Sequence, residues 1–94
     1  MSRPKPIKNI IIELLKAYGL KDKFDEYLAI AYWESCVGKE IASHTTPVDV
    51  ENGILFVQVD SDTWRNELVF FKHEIIQRLN DRIGKPVVQE IKFY

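Results

Sequence analysis

Cysteine is nearly absent from this sequence of 94 residues. The single one, Cys36, has no intramolecular disulfide partner and no companion for a zinc ribbon, and a reducing compartment suits such a chain. Glycine is scarce as well. Gly19, Gly38, Gly53 and Gly84 stand alone, each at a turn or helix end, so there is no glycine loop to cradle a phosphate and the common nucleotide-binding enzymes are disfavoured. Long hydrophobic runs are missing. After Met1-Ser2-Arg3-Pro4-Lys5-Pro6 only Ile10-Ile11-Ile12 precede Glu13, too few for a signal-peptide core or a membrane span. The expectation is a cytoplasmic protein with no membrane partner. Nor is there an excess of one charge: 13 Lys and Arg face 14 Asp and Glu, for a net charge of -1. A nucleic-acid binder with that balance would have to gather its cations on one face.

What is present suits a single small globular domain, with 46% hydrophobic and 29% charged residues, too apolar for a disordered chain. Residues 1–6 read as a short basic arm and residues 7–94 as one domain. Ile7, Ile11, Leu14 and Tyr18 recur on one helical face, widened by Ile10 and Leu15, and Gly19 closes that helix. Asp22 reads as the N-cap of a second helix, with Asp25 in its first turn. Phe24, Tyr27, Leu28, Ile30, Ala31, Tyr32 and Trp33 make this helix apolar almost all round, which predicts a central position. Gly38 ends it, and one further turn covers residues 39–43.

The period then changes to two. Val48 and Val50 alternate with Asp49 and Glu51, and Asn52-Gly53 is a strong signal for a tight hairpin. Ile54 to Val59 forms the return strand, with Leu55, Val57 and Val59 on one face and Phe56 and Gln58 on the other. Asp60-Ser61-Asp62 opens a long helix in which Trp64, Leu68, Phe71, Ile75, Leu79 and Ile83 recur in steps of three and four, stopped by Gly84 and Pro86. Val87 to Phe93 alternates as a last strand. The fold class is α+β, in the order α-α-β-β-α-β, with helices packed on one face of a small three-stranded sheet and a right-handed crossover through the long helix.

Few residues carry chemistry. Asp60 and Asp62 have the look of a cation pair, but their place at a strand-to-helix junction favours capping, since no further carboxylate is spaced nearby. His44, beside Thr45, Thr46 and Pro47, reads as a hydrogen-bonding turn residue, and His73 as solvated. Cys36 and His44 lack a third orienting group at any readable spacing. We therefore expect no catalytic residue, no metal and no cofactor. The long helix exposes Arg65 and Lys72 two turns apart on one line and Arg78 and Arg82 on another, with Glu67, Glu74 and Asp81 interspersed. A mixed solvated face and a phosphate track both fit that pattern. Phe56 stands ready to stack on a base or partner if its sheet face is open, and is plain core if helix one or two covers it. Trp64, in the first turn of the long helix, is a core anchor or an interface hot spot.

From Trp33 onward the order of features resembles the DciA family: Trp33, Val37-Gly38, Ile41-Ala42-Ser43-His44-Thr45, Pro47, Asn52-Gly53, Leu55-Phe56-Val57-Gln58-Val59, Ser61, Trp64, Glu67-Leu68, Leu79-Asn80, Gly84 and Ile91-Lys92-Phe93. The resemblance implies a KH-like domain that is not an enzyme and that helps deliver or operate the replicative DNA helicase at bacterial origins, with single-stranded or forked DNA as a second candidate ligand. The alternative is a stand-alone KH-like module for DNA or RNA. The chain departs from RNA-binding KH domains in having no Gly-x-x-Gly clamp; many family members carry a longer basic or disordered extension, and the expectation here is of the short arm Arg3-Pro4-Lys5-Pro6-Ile7-Lys8 in its place. On this reading Trp64, Arg65 and Lys72 form the partner surface, and Arg78, Arg82, Lys92 and Phe56 contact nucleic acid.

Overall fold

The computed structural model describes the backbone of residues 7–94 and the side chains from residue 10 onward. The expected basic arm, residues 1–6, and the side chain of Ile7 lie outside the described residues. The elements are α1 (Ile7–Ala17), α2 (Lys21–Ala31), α3 (Trp33–Val37), α4 (Lys39–Ala42), β1 (Thr45–Glu51), β2 (Ile54–Val59), α5 (Asp62–Val69), α6 (Lys72–Ile83) and β3 (Glu90–Phe93). The domain is α+β in the expected order, with two of the expected helices each divided in two.

The sheet has the order β1-β2-β3. β1 and β2 are antiparallel, joined by Asn52 and Gly53, both at positive φ (52° and 80°), the backbone of a two-residue hairpin turn. β2 and β3 are parallel, which requires the crossover supplied by α5 and α6. Val50, Leu55, Val57, Val59 and Ile91 line the inner face and pack with Ala29, Trp33, Leu68, Ile75, Leu79 and Val88. Leu55, Leu79 and Ile91 are wholly buried, each stabilising the fold by about 2–3 kcal/mol through area removed from water. On the other face Thr46, Asp49, Gln58, Glu90 and Lys92 are exposed, so the helices cover one side only.

Two polar contacts, one buried and one partly buried, lock this frame. Trp33 Nε1 donates to Thr45 Oγ1 at 2.8 Å, and that hydroxyl donates to the Ile41 carbonyl at 2.8 Å, so neither group is orphaned in the core. The Asn80 amide donates to the Val88 carbonyl at 2.8 Å and accepts from the Val88 amide at 2.9 Å. It acts as one rung of a ladder and holds the lead into β3 against α6.

Several expectations need correcting. Asp22 does not cap α2; Leu20 holds the cap position, with no side-chain hydrogen bond there. The second helix is central, packing on β1, α6, α1 and α3, but it breaks at Tyr32 and is not covered all round: Tyr27 is 61% exposed. The long helix also breaks. At Phe70 and Phe71 the amides bond back only three residues, to Glu67 and Leu68, and the run Val69-Phe70-Phe71 has weak helix propensity. Phe71 consequently leaves the stripe that Leu68, Ile75 and Leu79 keep. Val48 falls at a register shift between Pro47 and Asp49, a bulge that turns it outward, 49% exposed. The last strand pairs only from Glu90, because Val87 and Val88 are held by a turn from Lys85 and by Asn80.

Candidate partner-binding surface

Ser61 starts α5. Its hydroxyl accepts from the Trp64 amide at 3.1 Å, the N-cap role expected of this junction. Asp62 pairs with Arg65 one turn on. Trp64 is half-buried, its ring stacked on His44 with centroids 5.1 Å apart and 23° between planes, and His44 Nδ1 lies 3.1 Å from the Asp60 carboxylate. The turn residue thus joins the hairpin's base to the first turn of α5. Cys36 is half-buried against the core, and its carbonyl accepts from Arg78 at 3.3 Å. Among the described residues no three of His, Cys, Asp and Glu stand close enough to hold a metal.

The break after α5 creates the main surface feature. Val69, Phe70 and Phe71 are 50%, 83% and 46% exposed. Beside them lies a groove of about 460 Å³ lined by Phe56, Val69, Lys72, Lys92, Phe93 and Tyr94. Phe56 and Lys92 are register partners on the uncovered side of the sheet, so neither α1 nor α2 covers Phe56. Lys72, from the first turn of α6, reaches Glu90 at 3.3 Å, while Lys92 makes no ion pair among the described residues.

Glu90 has a second task. The parallel ladder uses the amides of Glu90 and Tyr94, which by alternation turns the Ile91 amide to the free edge. That amide donates to Glu90 Oε1 at 2.8 Å. This hydrogen bond, reinforced by Lys72, holds the Glu90 carboxyl below its ordinary value. The other edge is interrupted in a similar way: Pro47 has no amide hydrogen, and the Val50 amide donates to Asp49 at 2.8 Å.

The structure places the seven candidate residues in three groups. Phe56, Lys72 and Lys92 meet at the groove. Trp64 and Arg65 sit at the start of α5. Arg78 and Arg82 face α2 and α3: Arg78 bonds Glu74 and the Cys36 carbonyl, and the Arg82 guanidinium lies over the Tyr32 ring at 5.0 Å. The line expected to join Arg65 to Lys72 is broken with the helix. Sequence reasoning overlooked Val69, Phe70 and Tyr94. Three consecutive apolar residues exceed what one helix face can bury, and that signal was available. It also took Asp25 for a first-turn acid, whereas this residue is 4% exposed and bound by Lys21 and by Lys85 at 2.7 Å. Burial pushes its carboxyl up, but the two lysines outweigh that and leave it lowered, while Lys85 is raised by the hydrogen bond to Asp25.

No helix among the described residues is long and apolar enough to cross a membrane. Comparison with known proteins finds similarity to a UPF0232 protein of Mycobacterium leprae (strain TN), 29% identical over 89 residues, covering 95% of this chain and 47% of that one. A UPF0232 protein of Mycobacterium tuberculosis (strain H37Rv) is 27% identical over 89 residues, covering 95% and 48%. The chain spans about half the length of these curated relatives. The family model described as Dna[CI] antecedent, DciA, matches residues 6–93, and with the ordered motifs from Trp33 onward this establishes that the chain belongs to the DciA family.

Proposed function

We propose that this domain is a non-catalytic cytoplasmic adaptor that binds the replicative DNA helicase during bacterial replication initiation, through the corner formed by α5 and the start of α6. The observation that carries the reading is the family match over residues 6–93, together with the apolar residues Val69, Phe70 and Phe71 that this corner leaves exposed. Trp64 and Arg65, at the start of α5, and Lys72, at the start of α6, complete the proposed surface. Its test is capture of the purified replicative helicase by the full chain. Trp64→Ala with Arg65→Ala, in a variant whose thermal melt shows it folded, is expected to weaken capture about tenfold or more. Capture equal to wild type removes both residues from the surface.

A second reading, a stand-alone nucleic-acid-binding module, draws support from Phe56 and Lys92 standing side by side on the uncovered sheet face. Single-stranded or forked DNA, or RNA, would then stack on Phe56, with Lys92, Arg78 and Arg82 as phosphate contacts. Such binding must weaken steeply with salt as counterions are released. Tight binding that ignores salt counts against it.

A further inference from the structure

We propose that the groove beside α5, together with Phe70, docks an acidic amphipathic helix of a partner protein. The identity of that partner rests on the adaptor reading above; the chemistry of the site does not. The floor is apolar, from Phe56, Val69, Phe93 and Tyr94, and Lys72 and Lys92 stand on it. Phe70 projects next to the groove with 83% of its surface in water. A protruding aromatic beside an apolar cleft is the knob-and-hole pair that binding energy concentrates on.

Four kinds of occupant compete, and the surroundings discriminate among them. An added strand needs a run of free edge amides, and each edge is interrupted. Glu90, held by Lys72, takes the outward amide of Ile91; Pro47 and Asp49 interrupt β1. A second copy joined by two-fold symmetry at this corner would set Lys72 and Lys92 against the same lysines, a like-charge contact. A nucleic acid laid across this sheet face would carry its phosphates past Asp49, Glu51 and Glu90, all exposed, and each carboxylate lowers its affinity. A helix seated in the groove itself meets a lining with two lysines and no acidic side chain. Its backbone is already satisfied and its contacts are made by side chains. An apolar residue fills the floor, Phe70 enters between turns spaced three and four residues apart, and a carboxylate at the rim reaches Lys92, which has no ion pair among the described residues.

The test uses the full chain and the purified replicative helicase, with affinity read by fluorescence anisotropy. Phe70→Ala is expected to weaken binding about thirtyfold, and Lys92→Glu about tenfold, with the deficit of Lys92→Glu shrinking as salt is raised. Lys39→Ala, exposed on α4 and absent from the groove lining, is expected to stay within about twofold. If wild type binds and both groove variants bind equally well, the groove proposal falls while the adaptor reading stands. A loss with Phe70→Ala alone overturns the acidic character of the occupant. If wild type does not bind the helicase, the adaptor reading falls and the groove is tested separately, with p-benzoylphenylalanine replacing Phe70 in living cells. Crosslinks to an acidic amphipathic helix of a protein support the proposal. Crosslinks to a second copy, to nucleic acid or to a segment without that charge overturn it, as does the absence of any protein crosslink.

Discussion

The helices α1 and α6 are nearly equal in length and both carry apolar residues at steps of three and four, yet they meet opposite fates. In α6, Ile75 and Leu79 are 5% and 0% exposed. In α1, Ile11 and Leu14 are 47% and 53% exposed, and Tyr18, just beyond it, is 76% exposed. The difference lies in what each can reach. α6 packs on α2, α3 and β3, is closed by Gly84 in the left-handed conformation, and is tied to the chain beyond by Asn80. α1 packs mainly on α2. Three strands offer one inner face, and α2, α3 and α6 fill it. Amphipathicity tells that a helix has an apolar side; whether the domain has surface left to cover it is a matter of area.

The sharpest way to break this comparison is a pair of truncations. Leu79→Ala should lower unfolding stability by about 3 kcal/mol, because lost transfer energy adds to the cavity left behind. Leu14→Ala should cost less than about 0.5 kcal/mol, since the side chain is half in water and alanine is the better helix former. Urea titration of both variants reads the difference. Equal losses would mean that α1 is covered in solution and that the contrast is false.

The same contrast marks what the sequence made legible. Features fixed by a few adjacent residues were readable: the Asn52-Gly53 hairpin, the Ser61 start of α5 and the Gly84 stop of α6 all stand where local chemistry puts them. Features fixed by neighbours distant in sequence were not. Asp25 looked like a first-turn acid because nothing nearby announces Lys85, sixty residues on. The break at Phe70 needed knowledge that Phe71 must leave the stripe for α6 to lie on the sheet. The residues that carry the family resemblance also turn out to be mostly scaffold. Trp33 bonds Thr45, His44 stacks on Trp64, Ser61 caps and Asn80 clamps Val88. They identified the fold well for that reason, and they pointed past the exposed run Val69-Phe70-Phe71.

A smaller effect is expected at the ion cluster around buried Asp25. Asp25 has a lowered carboxyl, so its contribution is present above the unfolded value near 3.8 and is lost as pH falls through the folded value. Lys85 is raised, so its share holds below 10.5 and is lost only as pH climbs past its folded value. Asp25→Asn should therefore cost about 2 kcal/mol at neutral pH, less than a fully buried pair because Lys85 is half in water. The deficit should fade in acid, below about pH 4. Asp62→Asn, at an exposed pair with Arg65, should change stability little. A deficit for Asp25→Asn that persists unchanged at pH 2 would show that the cluster acts through packing and not through charge.

The smallest stability effect should come from Phe70, and that smallness is informative. With 83% of its surface exposed, the ring is hydrated in the folded and unfolded chains alike, so Phe70→Ser removes almost no burial. The expected change is within about 0.5 kcal/mol, or no more than about 4 °C in Tm for a domain of this size. Leu68, two residues earlier and 1% exposed, lies on the other side of the boundary between folding and display. An exposed aromatic of this size promotes self-association, so Phe70→Ser should also stay clear at concentrations where wild type scatters light. A Tm loss as large as that of Leu79→Ala would mean Phe70 is covered in solution. A neutral Tm joined to weakened partner binding assigns the ring to recognition, because no folding defect then remains to explain the loss.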